Sequence, residues 1–223
     1  MNIIQIIFSV FLKEYKINLR NFNNVLTFLF FFFISIFVFV FAIGPNKEIL
    51  NHAGVGILWA LLILSSTLSL KKYYQDDFEN GSIIITHMSG LSYELISLIK
   101  VFSHFFFIQL PFLISLPIAS ILINLEIEKI SLLLLSFLIG SFILSCLGSI
   151  SSSMNLLNKN NFSLGSIIVM IFSIPVIIFS VGIVNSEENF LPLLKILIGI
   201  AFIFFAITPW VSAFCIKLAL ANK

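Results

Sequence analysis

Six long apolar runs divide this 223-residue chain, and their length constrains its fold more than any other feature. Each run approaches or exceeds the roughly 20 residues that an α-helix needs to cross the hydrocarbon core of a bilayer. Hydrophobic residues make up 60% of the chain and charged residues only 10%, which is typical of an integral membrane protein. The sequence therefore predicts an all-α polytopic membrane domain over residues 25–218, with spans at 25–43, 54–70, 101–123, 131–153, 163–184 and 193–218.

The first 24 residues contain an apolar run, Ile3 to Leu12, that is too short to cross a bilayer. Basic residues follow this run, whereas a signal peptide places them before it, so we do not expect a secretory leader. The apolar residues recur at four-residue spacing, in the two sets Ile3, Ile7, Phe11 and Ile4, Phe8, Leu12. We interpret residues 1–24 as an amphipathic helix in the membrane interface; the alternative is a frayed tail.

The central polar segment, residues 71–100, is the only stretch longer than a short loop that is polar enough to lie in water. It carries both charge signs and the turn-forming sequence Glu79-Asn80-Gly81-Ser82, so we expect a folded segment on the membrane surface. We interpret it as a docking surface for a soluble partner; the alternative is that its charges are simply solvated. The proposed docking residues are Asp76, Asp77, Glu79, Asn80, Gly81, Ser82 and Glu94.

The distribution of lysine and arginine predicts the orientation of the chain in the membrane. If the N-terminus is cytoplasmic, nine basic residues lie on the cytoplasmic side and three lie outside. The excess of positive charge inside favours this orientation, with both termini and the central polar segment in the cytoplasm. The nine are Lys13, Lys16, Arg20, Lys71, Lys72, Lys100, Lys159, Lys217 and Lys223, and the three are Lys47, Lys129 and Lys195.

A stripe of small side chains runs along the fourth predicted span. Serines recur every four residues, which places them on one face of a helix. Small residues let two membrane helices approach closely, so we predict a helix-packing seam; a polar lining of a translocation path is the alternative. The seam comprises Gly140, Ser141, Ser145, Gly148, Ser149 and Ser153.

Prolines and short polar stretches mark the breaks that we expect in the membrane domain. Two prolines should kink the third span, one should bend the fifth, and Pro209-Trp210 should interrupt the sixth. The prolines of the third and fifth spans are Pro111, Pro117 and Pro175. Short loops are predicted at 46–53, which contains His52, at 124–130, at 155–162, which contains Lys159, and at 185–191, which contains Glu187 and Glu188.

The sequence lacks the motifs of several classes of activity. None of the ten glycines is followed by lysine, so no phosphate-binding P-loop is present, and HExxH, CxxCH and GxSxG are also absent. Aspartate and glutamate all fall outside the predicted spans, which argues against a proton-relay pump or a membrane-embedded enzyme. We find no convincing repeat between the two halves, as a secondary carrier would have, and no basic patch for nucleic acid.

Six spans, an amphipathic N-terminal helix and a central polar segment without an energy source resemble the membrane half of an ABC transporter of the ABC-2 type. Local sequences narrow the resemblance to the CcmB family of haem exporter permeases. The family's features occur here in order as the run from Phe41 to Ile83, Leu98 to His104, and the pairs Leu110-Pro111 and Leu116-Pro117. The similarity covers nearly the whole chain, but Ile83 to Met88 lacks the acidic residue usual in the family.

This resemblance implies a multi-pass permease of a bacterial inner membrane, or of a mitochondrial one if the gene is organellar. It implies a separate CcmA-like ATP-binding subunit, CcmC-like and CcmD-like haem-handling subunits, a second copy of the chain and membrane lipid, but no nucleic acid. Haem is the implied transported substrate, with no cofactor or metal bound by the chain. The alternative is a non-conducting assembly subunit whose motion releases a haem-loaded chaperone. By residue type only, haem contacts are assigned to His52, His87 and His104.

Overall fold

The structure, a computed structural model, describes residues 3–44, 46–69, 71–157, 163–186 and 189–222. Within these ranges every regular element is helical and no strand occurs. The elements are α1 Ile3–Arg20, α2 Phe22–Ile43, α3 Lys47–Thr67, α4 Lys71–Glu79, α5 Ser82–Met88, α6 Tyr93–His104, a π-helical segment Phe105–Gln109, α7 Leu110–Leu122, α8 Ile127–Asn155, α9 Ser163–Asn185 and α10 Phe190–Ala221.

Six helical stretches in the described part are long and apolar enough to cross a membrane. This confirms the predicted all-α fold and the predicted number of spans. The stretches are Phe22–Ile43, Ile49–Thr67, Tyr93–Leu122, Ile127–Asn155, Gly165–Asn185 and Phe190–Ala221. The predicted features at Pro45, Lys159, Glu187, Glu188 and Lys223 lie outside the described residues.

The two largest differences from the predicted boundaries are at the starts of the second and third spans, where both helices begin earlier in the sequence. α3 starts at Lys47, where the Asn46 side chain accepts a hydrogen bond from the Ile49 backbone N–H at 3.2 Å and so caps the helix. The predicted loop at 46–53 is therefore almost entirely helical, and His52 lies on α3. The third spanning helix starts at Tyr93, where Ser92 caps it by accepting from the Leu95 N–H at 3.3 Å.

The prolines do not interrupt the helices. The third span runs from Tyr93 to Leu122, and its irregular part is the π segment directly before Pro111, where the Leu110 N–H donates to the Phe105 carbonyl five residues back. The predicted interruption at Pro209 is wrong, because α10 continues through it from Phe190 to Ala221. α10 packs against α6, α8 and α9, and such neighbours allow membrane helices to tolerate proline.

α8 is the central helix of the bundle. It packs against α3, α4, α6, α7, α9, α10 and the π segment. Aromatic side chains fill the surrounding interior: Phe32 meets Phe112 edge to face with ring centroids 5.4 Å apart, and Trp59 meets Phe137 at the same distance. Since lipid is as apolar as these side chains, close packing and not exclusion of water holds the helices together.

Both ends of the described chain lie at the same end of the bundle as α4 and α5. α1 packs against the beginning of α6, and Lys217 near the end of α10 pairs with Glu94 of α6 at 2.9 Å. We call this the terminal end. An even number of spans predicts this arrangement, and the structure confirms it.

Candidate functional site

A tight turn positions α5 relative to α4 at the terminal end. Gly81 has φ = +75°, in the left-handed region that glycine adopts without strain. The Asn80 side-chain oxygen accepts a hydrogen bond from the Ser82 backbone N–H at 2.9 Å. The turn thus lies where the sequence Glu79-Asn80-Gly81-Ser82 predicts it.

The inner face of α4 is packed against the bundle. Tyr73, Tyr74 and Phe78 are buried, and they form a cluster with Leu156, directly after α8, and with Ile216 of α10. These three side chains recur at the spacing of one helix face. α4 therefore lies against the membrane domain over its length and is not a mobile loop.

Hydrogen bonds connect α4 to the serine stripe of α8. The Tyr74 hydroxyl lies 2.8 Å from Ser149 Oγ, which is itself 3.0 Å from Ser212 Oγ of α10. Tyr73 donates to the Ser145 carbonyl at 3.2 Å. Burial raises the pKa of both tyrosines, so both phenols stay protonated and able to donate.

All six residues predicted to form the seam are buried in α8. At Gly140 a β-carbon would lie 2.2 Å from the Trp59 ring, so α3 and α8 approach too closely for any side chain there. Ser145 and Ser149 have a second role that spacing does not reveal, since they are also the partners of Tyr73, His104 and Tyr74. The stripe is a packing surface that also accepts polar side chains from α4 and α6.

A buried ion cluster joins three helices at the terminal end. Lys100 of α6 pairs with Glu14 of α1 at 2.9 Å and with Asp77 of α4. Lys13 of α1 lies 3.7 Å from Asp77 and also contacts Ser82. The Lys100, Glu14 and Asp77 side chains are each at most 12% exposed. Burial alone would raise the pKa of the Asp77 carboxyl, but Lys100 and then Lys13 outweigh it, and the pKa is lowered.

Asp77 therefore faces the bundle, although the sequence reading assigned it to the docking surface. Its place on α4 follows from that of Tyr73, four residues earlier on the same face. Glu14, its partner through Lys100, was missed by the sequence reading. A single acid in an otherwise apolar and basic helix was the available signal, but nothing in the spacing identifies its partner.

The outer face of α5 exposes apolar side chains although this helix is outside the six spans. Ile85 is 69% exposed and Met88 80% exposed, with Ile84 beside them, whereas Ile83 is buried beneath. We call Ile84, Ile85 and Met88 the apolar tip. Asp76, Glu79 and Asn80 are exposed on α4 and on the turn that precedes α5. The sequence signal was the replacement of an acidic pattern by isoleucines after Ser82.

The remaining docking candidate, Glu94, lies apart from the apolar tip. Its carboxylate is held by Lys217 of α10 at 2.9 Å, and the lysine ammonium also lies 5.9 Å from the Tyr93 ring centroid. Glu94 therefore connects the beginning of α6 to the end of α10.

The three histidines do not converge on one site. His52 is exposed on α3, near the end of the bundle opposite the terminal end. His87 donates from Nδ1 to the Leu91 carbonyl at 2.8 Å and stacks on Tyr93. His104 is buried, with Ser69 Oγ 2.9 Å from Nε2 and Ser145 Oγ 3.1 Å from Nδ1. Both of its ring nitrogens thus have protein partners.

Comparison with known proteins places this architecture in one family. A family model described as CcmB protein matches residues 5–219. The chain is 29% identical to Heme exporter protein B of Haemophilus influenzae over 182 residues, 81% of this chain and 82% of the relative. It is 30% identical to the protein of that name from Pseudomonas aeruginosa over 151 residues, 68% of each chain. For Rhodobacter capsulatus the identity is 29% over 181 residues, 80% of this chain and 83% of the relative. The chain belongs to the CcmB family, as its sequence patterns predict.

Proposed function

We propose that this chain is the membrane permease subunit of an ABC transporter that delivers haem across the membrane for the biogenesis of c-type cytochromes. Family membership carries the proposal, supported by the names of the relatives and by six apolar helices. Haem is substrate and not a resident cofactor. ATP is hydrolysed on a separate CcmA-like chain. CcmC-like and CcmD-like subunits and a second copy of the chain complete the assembly.

The proposed orientation places the terminal end in the cytoplasm of a bacterium, with the chain in its inner membrane. The excess of lysine and arginine at this end supports the assignment. ATP is in the cytoplasm, so a partner that hydrolyses it would meet α4 and α5 first. An organelle-encoded copy would take the same orientation in the mitochondrial inner membrane.

The apolar tip is the proposed contact with the ATP-binding subunit. Exposed isoleucine and methionine outside the membrane gain from burial against another protein, and the polar residues near them suit the rim of an interface. Asp76, Glu79 and Asn80 belong to that rim, while Gly81 and Ser82 set the geometry of the turn. Asp77 contributes from inside, by holding α4 against α6.

Motion at α5 would reach the membrane through contacts already described. α4 is bonded to α8 through Tyr74 and Ser149 and to α6 through Asp77 and Lys100. α6 continues without a break into the π segment and α7, so a displacement at the terminal end is carried into the bilayer. In this proposal the ion cluster and the serine stripe are the coupling elements.

The test replaces Ile85 and Met88 by aspartate in one double variant. We expect it to insert normally, to lose co-purification of the ATP-binding subunit and to lower covalent haem in c-type cytochromes. Ile127→Asp is the matched control, because Ile127 is 85% exposed at the other end of the bundle. Unchanged co-purification in the double variant would reject the apolar tip as the docking site. Glu79→Gln tests the rim separately.

A non-conducting role is the second candidate. It is favoured by the burial of every seam residue, so the described part of one chain presents no open polar path along α8. Deleting the gene and scoring chaperone loading separately from covalent haem in cytochromes distinguishes the two functions. A chaperone that becomes loaded but is not released points to the non-conducting role, whereas an unloaded chaperone points to haem passage.

Direct haem contact by His52, His87 or His104 stays a proposal based on residue type. Since the three do not converge, a contact would involve one of them with groups from a partner chain. Alanine at all three positions should lower haem retention and cytochrome yield if any of them binds haem. Unchanged values in the triple variant would dismiss the contact.

A further inference from the structure

A cavity of about 270 Å³ opens at the terminal end and is lined by residues of the α1–α2 junction and of α4. Residues of α6 and the π segment also line it. Five charged side chains face it, which is unusual beside membrane-spanning helices. They are Glu14, Arg20, Asp76, Asp77 and Lys100.

Three of these five charged residues are paired within the ion cluster, and two are not. Lys100 and Lys13 neutralise Glu14 and Asp77 within the ion cluster. Arg20 and Asp76 line the same cavity and are exposed, and neither forms an ion pair among the residues that the structure describes. The cavity lining thus includes a guanidinium and a carboxylate that the ion cluster does not neutralise.

A ligand that fits this arrangement carries one negative and one positive group. A guanidinium binds phosphate through paired hydrogen bonds, and a carboxylate accepts hydrogen bonds from an ammonium. Asn21, at the start of α2, adds an amide beside Arg20. A primary ammonium donates hydrogen bonds to Asp76, which a trimethylated ammonium cannot do. A purely anionic ligand would meet Asp76 without compensation.

The position of the cavity points to a membrane lipid as the source of this ligand. α1 packs one face on α6 and exposes Ile4, Phe8 and Leu12 on the other, as a helix at the membrane surface does. The α1–α2 junction therefore lies at headgroup depth, immediately before the first span. The lining also includes the apolar residues Val25, Phe28 and Ile108, which suit the beginning of an acyl chain.

We propose that this cavity binds the headgroup of a zwitterionic phospholipid with a primary ammonium, of the phosphatidylethanolamine type, with Arg20 on the phosphate and Asp76 on the ammonium. The bound headgroup connects the α1–α2 junction to the outer side of α4. The test measures lipid on the chain alone, without haem or the ATP-binding subunit, so it is independent of the proposed function, in which Asp76 also belongs to the rim of the interface.

The test uses the full chain in nanodiscs with equal amounts of phosphatidylethanolamine, phosphatidylcholine and phosphatidylglycerol. Native mass spectrometry then measures which lipid stays on the released protein. We expect retained phosphatidylethanolamine on the wild type and about a tenfold lower retention in Arg20→Gln and in Asp76→Asn, since each loses one charged hydrogen-bonding group. Lys16→Gln and Glu128→Gln are the matched controls, because both residues are exposed and neither lines the cavity.

Equal retention of the three lipids by the wild type would overturn the proposal, and this result needs no variant that might fail to fold. Wild-type retention in both Arg20→Gln and Asp76→Asn would overturn it as well. The last experiment adds soluble glycerophosphoethanolamine as a competitor. We expect it to displace the bound lipid poorly, because it lacks acyl chains. Displacement at lipid-like concentration would assign the site to a free metabolite and reject the lipid.

Discussion

Lys100 Nζ lies 2.9 Å from Glu14 Oε1, which joins the third spanning helix to α1. The same ammonium contacts Asp77 of α4, so one cation holds two carboxylates from separate helices. A buried cation with two acidic partners is stable only while the cluster is complete. The ion cluster therefore holds α1, α4 and α6 together at the terminal end.

Replacing Lys100 by methionine should destabilise the protein strongly. The variant leaves Glu14 and Asp77 buried without their shared cation, and breaking a buried pair in this way costs about 3–5 kcal/mol. Thermal unfolding in detergent measures the effect. Lys129→Met is the control, since the Lys129–Glu126 pair joins neighbours at one exposed helix end, where solvent screens the interaction and little stability is lost.

A triple variant, Glu14→Gln, Asp77→Asn and Lys100→Met, should recover much of the stability lost in Lys100→Met alone. Neutralising the acids removes the uncompensated charges that cause the loss. If the triple variant were as unstable as the single one, the loss would come from packing of the lysine stem and not from charge.

Acid should weaken the attachment of α4. The pKa of Asp77 is lowered in the folded protein, so the unfolded chain binds more protons around that pKa, and stability falls as pH drops through the folded value. Above the ordinary carboxyl pKa of about 3.9 the contribution is complete. We expect the melting temperatures of the wild type and Asp77→Asn to change in parallel above about pH 4, and that of the wild type to fall more steeply below it. If the melting temperatures of the two proteins changed in parallel over the whole pH range, ionised Asp77 would not stabilise the fold.

Alanine at Gly140 should destabilise the contact between α3 and α8. The new β-carbon would lie 2.2 Å from the buried Trp59 ring, and overpacking of this kind costs about 1–3 kcal/mol. Gly56→Ala is the matched control, because a β-carbon at this helical glycine meets nothing within 4 Å. The two variants are compared by unfolding in detergent, and equal stabilities would show that the helices can separate without cost.

Tyr74→Phe tests whether the hydroxyl of Tyr74 couples α4 to α8. The change removes the hydrogen bond to Ser149 and should cost about 1 kcal/mol of stability. We expect the ATP-binding subunit still to co-purify while cytochrome haem decreases, because the apolar tip is untouched. Tyr15→Phe, at an exposed residue of α1, is the control. Normal haem delivery by Tyr74→Phe would remove this bond from the coupling path.

Much of the bundle was predictable because bilayer thickness sets the length of each apolar run. The main errors were at two helix starts and at one proline inside a helix. Asn46 and Ser92 start helices through single side-chain caps inside stretches that composition marks as polar. Pro209 was expected to break α10, but neighbouring helices keep it continuous.

The candidate site was predictable only in part. The turn at Gly81 followed from local chemistry, since glycine and asparagine favour its backbone conformation. The inward position of Asp77 and the outward position of Asp76 depend on which face of α4 meets the bundle, and adjacent helical residues point about 100° apart. Spacing separates the two residues, but only packing shows which of them is buried.

The sequence alone determined that the chain crosses a membrane six times, that its ends share one side, and that its family is CcmB, because these depend on apolar length, span number and local patterns. Only the tertiary structure decided that Glu14 meets Lys100, that Ser149 accepts Tyr74, and that Ile85 faces outward. The physical reason is that these contacts join helices distant in the chain, and their partners are selected by the packing of the whole bundle.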